Sequence, residues 1–347
     1  MTALSVRSAP GASPGGRPVR WSRLAWVTWR QHRLALAGTA AVLGAISVYL
    51  FIMGLQIHDA WGKVAACRPL GSAACQQLLD AFNRDYYGST SGSVMSSGIN
   101  AQTVPFMLLA VPILLGVFIG APVLAREMES GTFRFAWTQG CGRVRWAVTK
   151  LVVLGSALTA LAYAVSLLFG WYFQPFFAEG KTGKFPMQLF GNLGVSFAAW
   201  TLLAFAVAAF AGALIRRAVP AMAAALTACT VLDVATMMSI RQHYAAPVTS
   251  AGGKPPGGSA AWLLDQWLAG PGGQRVSVDS VQPPAGLQAS GPGAFQSWLQ
   301  SQHLTQWWSY QPASRFWPFQ LIEGAWLLAV SAVLVGATVW LVRRRAA

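Results

Sequence analysis

The sequence contains six long apolar stretches, each 22 or 23 residues in length. They are residues 34–55, 104–125, 151–173, 193–215, 219–240 and 321–342. About 20 residues of α-helix cross a hydrocarbon layer of about 30 Å. Because water does not reach the backbone there, each stretch must satisfy its N–H and C=O groups within a helix. The sequence therefore predicts an all-α integral membrane protein with six transmembrane helices.

The composition agrees with a protein whose outer surface faces lipid. Charged residues make up 10% of the 347 residues, and hydrophobic residues make up 54%. Soluble domains carry about 25% charged residues, so this chain has too few charges to cover its surface in water. Alternating ten-residue strands, which are typical of outer-membrane barrels, are also missing from the pattern. A soluble enzyme is therefore excluded.

The basic residues predict the orientation of the spans. Of the 25 Lys and Arg residues, 16 fall on the side that carries the two ends of the chain. This side includes residues 126–150, Arg216, Arg217 and the tail at 343–345. Cytoplasmic loops carry such an excess, so both termini are predicted to be cytoplasmic. The location of these residues explains the net charge of +15 by topology and by contact with membrane lipids. We therefore expect no nucleic acid partner.

The first 33 residues divide into two parts. Residues 1–20 are rich in Gly, Pro, Ser and Arg, and they are predicted to be a disordered basic segment. Residues 21–33 have helical apolar spacing and predict an interfacial amphipathic helix. The following span, 34–55, is too long for the apolar region of a signal peptide. We therefore expect residues 21–347 to form a single transmembrane domain.

A large outer segment, 241–320, separates the fifth and sixth spans. Its Gly- and Pro-rich parts are interpreted as linkers, and residues 259–268 and 294–310 are predicted to be short helices. Glu323 lies at the outer edge of the sixth span, where it is interpreted as an interfacial anchor that can also pair with Arg315.

The segment after the second span carries the strongest functional motif. It contains Arg126, Glu127, Glu129, Gly131 and Thr132. The polar residues are predicted to extend the second span as one more helical turn. Gly131 can end that turn and Thr132 can cap a second short helix. A helix, break and helix along the cytoplasmic face would offer a surface to a soluble partner.

This motif resembles the permease subunits of the ABC type-2 exporter family. The pattern Arg-Glu-x-Glu-x-Gly-Thr is followed by Arg143 and by Lys150-Leu151 at the next span. The similarity covers nearly the whole chain and includes the stretch 310–324 before the last span, which is similar to a bacterial subgroup. Gln139 stands where the family often has Pro. In the family, the loop after the second span contains the coupling helix that docks into a separate ATPase.

The resemblance implies a permease subunit of an ATP-driven exporter in a bacterial cell membrane. ATPase coupling would fall on the motif residues, and ATP and Mg²⁺ would be bound by a cytoplasmic ABC ATPase subunit rather than by this chain. A second copy or a sister permease would complete the pore. Gly180-Lys181-Thr182 does not form a P-loop, because position 175 is Pro where the first Gly is required. No cofactor, metal or catalytic site is predicted in this chain.

Other interpretations stay open at the level of sequence. Glu127 and Glu129 could be solvated charges that balance Arg126 and Arg134. The chain could be a non-transporting multi-pass protein, such as an immunity protein or a scaffold. A proton-coupled transporter is disfavoured, because the spans hold one central acid and no internal repeat.

Three smaller signals have two interpretations each. Cys67 and Cys75 either form a disulfide on the outer side or remain independent thiols. Asp233 in the fifth span either contacts substrate or a cation in the translocation path, or forms a hydrogen bond between helices or reaches toward the outer surface. Gly116 and Gly120 form a Gly-x-x-x-Gly motif that either packs within the bundle or lies at a subunit interface.

Overall fold

The computed structural model describes residues 20–67, 72–87, 100–131, 142–252, 257–277, 280–282, 284 and 292–345. The predicted disorder of residues 1–20 therefore lies almost entirely outside the described residues. The helices are α1 (Trp21–Ala66), α2 (Ala73–Tyr87), α3 (Val104–Leu109), α4 (Val111–Ser130), α5 (Arg143–Ala178), α6 (Met187–Phe190), α7 (Ser196–Ile215), α8 (Ala218–Ala235), α9 (Pro292–Ser301) and α10 (Phe316–Arg345). The strands are β1 (Val248–Ala251), β2 (Trp262–Ala269), β3 (Arg275–Val276) and β4 (Thr305–Gln311).

Six helical segments are long and apolar enough to cross a membrane. They are Trp21–Ala66, Val104–Ser130, Arg143–Ala178, Ser196–Ile215, Ala218–His243 and Ala313–Arg344. The six predicted spans fall on these segments, although the fourth begins at Ser196 instead of residue 193. The prediction of an all-α membrane region is confirmed. We call the side that carries Arg20, Arg216, Arg217 and Arg344 the basic side, and the opposite side the sheet side.

The first span is longer than the sequence predicted. The interfacial helix and the span form one continuous helix, α1, of 46 residues. At about 1.5 Å per residue, α1 is roughly 70 Å long, so it extends well beyond a hydrocarbon layer of about 30 Å. Trp21, Trp26 and Trp29 are exposed near its basic-side end, as is typical of side chains at a membrane interface.

Helix α7 is the centre of the bundle. It packs against α4, α5, α8 and α10, and most of its residues are buried. Ala204, Phe205 and Ala208 are fully buried. Because α7 is apolar on all sides, it is suited to a position enclosed by other helices.

Gly116 and Gly120 lie against α7 within the chain. A Cβ atom on Gly120 would lie 2.5 Å from the Phe205 carbonyl oxygen and 3.0 Å from the Ala208 Cβ. A Cβ on Gly116 would lie 2.6 Å from the Phe205 backbone nitrogen. The two glycines therefore permit a close approach of α4 to α7 that a larger residue would prevent.

We expect Gly120→Ala to destabilise the protein by about 1–3 kcal/mol, because backbone atoms of α7 must shift to admit the methyl group. Gly44→Ala is the matched control, since a Cβ at Gly44 would have no atom within 4 Å. Thermal unfolding in detergent measures both variants. Equal melting temperatures for the two variants would contradict the close packing at Gly120.

The outer segment contains a four-stranded antiparallel sheet with the order β1-β4-β2-β3. The helix predicted at 259–268 is wrong, because β2 occupies Trp262–Ala269. The helix predicted at 294–310 is correct only in its first part, where α9 ends at Ser301 and β4 follows at Thr305. Short apolar runs do not distinguish helix from strand by periodicity.

Aromatic side chains stabilise this sheet. Trp267 of β2 pairs directly with Trp307 of β4, and their ring centroids lie 6.2 Å apart in a stacked arrangement. The Arg275 guanidinium lies 4.3 Å from the centre of the Trp267 ring and forms an ion pair with Asp265. Such cross-strand pairs favour the strand over the helix that the sequence alone suggested.

A disulfide joins Cys67, at the end of α1, to Cys75 in α2, and their Cα atoms are 5.7 Å apart. It links α2 to the end of α1, and α2 also packs against α5, where the Phe82 and Phe176 ring centroids lie 5.1 Å apart.

We expect the disulfide to exist in the cell, with both cysteines on the outer side. In a variant with Cys141→Ser and Cys229→Ser, an impermeant maleimide should label intact cells only after reduction. Adding Cys75→Ser as a control should leave Cys67 reactive without reductant. Equal labelling of the parent variant before and after reduction would exclude the bridge.

Candidate functional site

Two groups of polar side chains connect the helices, one on each side of the bundle. The first is the motif at the end of α4. This helix continues through Glu127 and Glu129 and ends at Ser130. Gly131 follows in a left-handed conformation with φ of 70°, as a glycine that ends a helix typically does. Thr132 and the expected second helix of the motif lie outside the described residues.

Glu127 binds the next span. Its carboxylate forms an ion pair with Lys150 of α5, and the Lys150 and Glu127 side chains are 2% and 22% exposed. The Lys150 ammonium also lies 4.7 Å from the centre of the Trp146 ring, within the range of a cation–π interaction. The interpretation of Glu127 as a solvated charge is therefore wrong. Arg134, its suggested counter-charge, lies outside the described residues.

Glu129 reaches a different helix. Its Oε2 atom accepts a hydrogen bond of 3.3 Å from the backbone N–H of Ala218, the first residue of α8. A carboxylate is favoured at this position by the partial positive charge of a helix N-terminus. The two glutamates of the motif therefore connect the end of α4 to α5 and to α8.

Arg126 differs from its two acidic neighbours. Its side chain is exposed, and in the part of the chain that the structure describes it has no ion pair. It faces a cleft between α1 and α4.

The second group lies on the sheet side and has Glu323 of α10 at its centre. Arg241 donates two hydrogen bonds to the Glu323 carboxylate, from Nε to Oε2 at 2.8 Å and from Nη2 to Oε1 at 2.9 Å. The side chains of Arg241 and Glu323 are 1% and 0% exposed. The paired, bidentate geometry is the strong form of such an interaction.

Further donors complete the environment of Glu323. Trp200 of α7 donates its indole N–H to Oε1 at 3.1 Å. Tyr244 donates its hydroxyl to Oε2 at 3.2 Å and accepts a hydrogen bond of 2.9 Å from Trp326. Burial and the nearby Glu323 carboxylate raise the pKa of Tyr244 above its ordinary value, so the hydroxyl stays protonated and remains a donor. We call Arg241, Glu323, Trp200 and Tyr244 the buried polar network.

The expected pairing of Glu323 with Arg315 is wrong. Arg315 instead donates to the Ala246 carbonyl and to the Gln311 side chain. The last helix begins at Phe316, earlier than the predicted span, so Glu323 lies two turns inside it and faces α7. Sequence reasoning placed Glu323 at the outer interface and did not single out Arg241.

An irregular turn positions Arg241. After α8 the chain forms a π-helical turn, Thr236–Ile240, and then a 3₁₀ turn, Arg241–His243. Such turns are uncommon and occur often at functional sites. The Arg241 guanidinium also lies 4.1 Å from the centre of the Phe190 ring, which further fixes its position.

A glutamine one turn earlier in α10 binds the start of α7. The Gln320 Oε1 atom accepts hydrogen bonds of 3.0 Å from the backbone N–H groups of Val195 and Ser196, and Nε2 donates to the Phe190 carbonyl at 2.9 Å. Those N–H groups at the N-terminus of α7 would otherwise have no helical partner.

Asp233 lies on α8 and is half-buried. Together with Asn192, Trp200 and Met237, it lines a small cavity. The volume of this cavity is about 10 Å³, which accommodates about one water molecule. The Oδ1 atom of Asn192 is buried and has no hydrogen-bond partner in the part of the chain that the structure describes. Within the described ranges Asp233 has no ion pair. Its predicted role in the translocation path stays a prediction.

Comparison with known protein families gives a match. A family model described as ABC-2 membrane transporter related matches residues 40–241, more than half of the 347 residues. The matched region begins within α1, includes the motif at the end of α4, and ends at Arg241 of the buried polar network. No curated protein and no solved structure is significantly similar to the chain.

Proposed function

Because the chain belongs to the ABC-2 membrane transporter related family, we propose that it is the permease subunit of an ATP-driven exporter. A separate subunit binds ATP with Mg²⁺ and hydrolyses it, and the transmembrane helices form the translocation path. The chain lies in a bacterial cell membrane with its basic side toward the cytoplasm, in keeping with the excess of Lys and Arg on that side. A second copy of the chain or a sister permease completes the pore.

The anchoring of the motif is the observation that carries the coupling proposal. Glu127 contacts Lys150 of α5, and Glu129 contacts Ala218 of α8. The end of α4 therefore cannot move without acting on two other helices. A partner that docks on the loop after Gly131 would transmit its movement to these three helices, as rigid-body switching requires.

The buried polar network supports a second part of the proposal. It holds the sheet-side ends of α7 and α10 and the turn after α8 in one arrangement. Movement of α4 and α8 at the basic side then acts against a fixed opposite end. We propose that Asp233, near the sheet-side end of α8, contacts the transported molecule, because an acid within a span is costly unless it faces protein, water or a polar substrate.

Affinity purification of the chain from its native membranes is expected to recover a soluble P-loop ATPase in a stoichiometric amount. Glu129→Lys should reduce that recovery several-fold, because it places a positive charge beside the loop while the Glu127–Lys150 pair stays intact. Arg344→Glu is the matched control, since it changes a charge on the same side but on α10, and recovery should be unchanged.

The opposite result has a clear meaning. Purification of the chain without any ATPase, after crosslinking in mild detergent, would favour a non-transporting membrane protein. Equal recovery with Glu129→Lys and wild type would place the docking surface away from this end of α4.

A further inference from the structure

An open cleft of about 540 Å³ lies between α1 and α4 on the basic side. Its walls include His32 and Leu34 of α1, and Phe118, Ile119, Arg126 and Glu127 of α4. We call the space between these residues the α1–α4 cleft. The volume falls within the range of about 300–1,000 Å³ that is usual for sites that bind small molecules.

The cleft has a polar end and an apolar end. Phe118 and Arg126 are eight residues apart on α4, which corresponds to about 12 Å along the helix axis. Leu34 and Phe118 at the apolar end are 80% and 59% exposed. The apolar end is therefore open laterally, toward the region where acyl chains surround the bundle. A ligand that fits both ends must combine a polar head with a hydrocarbon chain.

The free charge of the cleft is positive. Glu127 is neutralised by Lys150, whereas Arg126 forms no ion pair with any residue that the structure describes. His32 also lines the cleft, although its Nε2 atom is buried and has no hydrogen-bond partner among the described residues. An arginine guanidinium is well suited to a phosphate group, to which it donates two parallel hydrogen bonds.

We propose that the α1–α4 cleft binds an anionic phospholipid of the adjacent leaflet. The phosphate contacts Arg126, and the upper part of an acyl chain lies against Leu34 and Phe118. The complementary charge favours an anionic lipid over a zwitterionic one. The binding goes beyond the exporter proposal and does not depend on it.

Photolabelling of the purified full-length chain in nanodiscs tests the proposal. The discs contain phosphatidylcholine with a tracer of phosphatidylglycerol that carries a photoreactive group in its acyl chain. A matched photoreactive phosphatidylcholine is used in parallel. Phosphatidylglycerol is expected to label the α1 and α4 peptides of the cleft several-fold more strongly than phosphatidylcholine.

Variants separate a specific site from general attraction to a basic surface. Arg126→Gln is expected to reduce the phosphatidylglycerol labelling of the cleft several-fold. Ala35→Trp fills the cleft without changing its charge, and it should reduce labelling similarly. Arg344→Gln removes a basic-side charge on α10 and should leave cleft labelling unchanged.

Three outcomes would overturn the proposal. Equal labelling by the two lipids would remove the preference for an anionic head. Equal losses with Arg126→Gln and Arg344→Gln would indicate surface attraction only. Absence of cleft labelling, together with a disulfide-linked dimer of Ala35→Cys, would assign the cleft to contact with a second copy of the chain. None of these outcomes depends on ATPase binding, so they are distinguishable from failure of the exporter proposal.

Discussion

Glu323→Gln is expected to destabilise the protein by about 3–5 kcal/mol, because it leaves Arg241 buried without a counter-charge. Arg241 and Glu323 are 1% and 0% exposed at the side chain. Glutamine has the shape of glutamate and can still accept from Trp200, so the loss of charge is the main change. Solvent cannot compensate for that loss, since the polar network is enclosed by α7, α10 and the turn after α8.

Thermal unfolding in detergent, monitored by tryptophan fluorescence, measures the loss of stability in Glu323→Gln. A variant of an exposed ion pair provides the comparison. Asp265 and Arg275 form a pair whose side chains are 53% and 58% exposed. Asp265→Asn should cost only about 0–1 kcal/mol, because exposed pairs are screened by solvent. A loss for Glu323→Gln no larger than that for Asp265→Asn would contradict the buried role of Glu323.

Removal of both charges provides a second comparison. Arg241→Met combined with Glu323→Leu eliminates the unpaired charge as well as the pair. Buried ion pairs that are replaced by apolar residues of similar volume are often neutral or stabilising. The double variant should therefore be more stable than Glu323→Gln alone, even though Trp200 and Tyr244 lose an acceptor.

The sequence predicted the membrane region well, because the length of an apolar run and its backbone requirements leave few alternatives. The end of α4 at Gly131 was also predictable, since glycine favours the left-handed conformation that ends a helix. The strand Trp262–Ala269 was not. Its stability depends on pairing with Thr305–Gln311, far along the chain, and local periodicity carries no information about that pairing.

The candidate site shows the same division between local and distant information. The acidic motif at Glu127 was visible in the sequence, and Lys150 was noted as part of the same pattern. Their contact spans 23 residues and depends on the packing of α4 beside α5. The pairing of Arg241 with Glu323 spans 82 residues, and it required the irregular turn after α8, which no sequence signal indicated.

The Glu127–Lys150 pair is expected to be the second most sensitive position. Glu127→Gln should destabilise the protein by about 2–3 kcal/mol, somewhat below the value for a fully buried pair, because Glu127 keeps contact with solvent. Lys150 would then remain with its side chain 2% exposed and without its carboxylate. The cation–π contact with Trp146 compensates only in part, since such contacts contribute about 0.5–2 kcal/mol.

Glu129→Gln is the matched control, because it removes an equivalent charge two residues away on the same helix. Its exposed carboxylate accepts one hydrogen bond of 3.3 Å from Ala218, so the expected cost is about 0.3–1 kcal/mol. The double variant Glu127→Lys with Lys150→Glu should be more stable than either single variant, since the ion pair is rebuilt with the two charges exchanged. Equal melting temperatures for Glu127→Gln and Glu129→Gln would show that the pair with Lys150 does not hold the end of α4, and the coupling proposal would lose its mechanical basis.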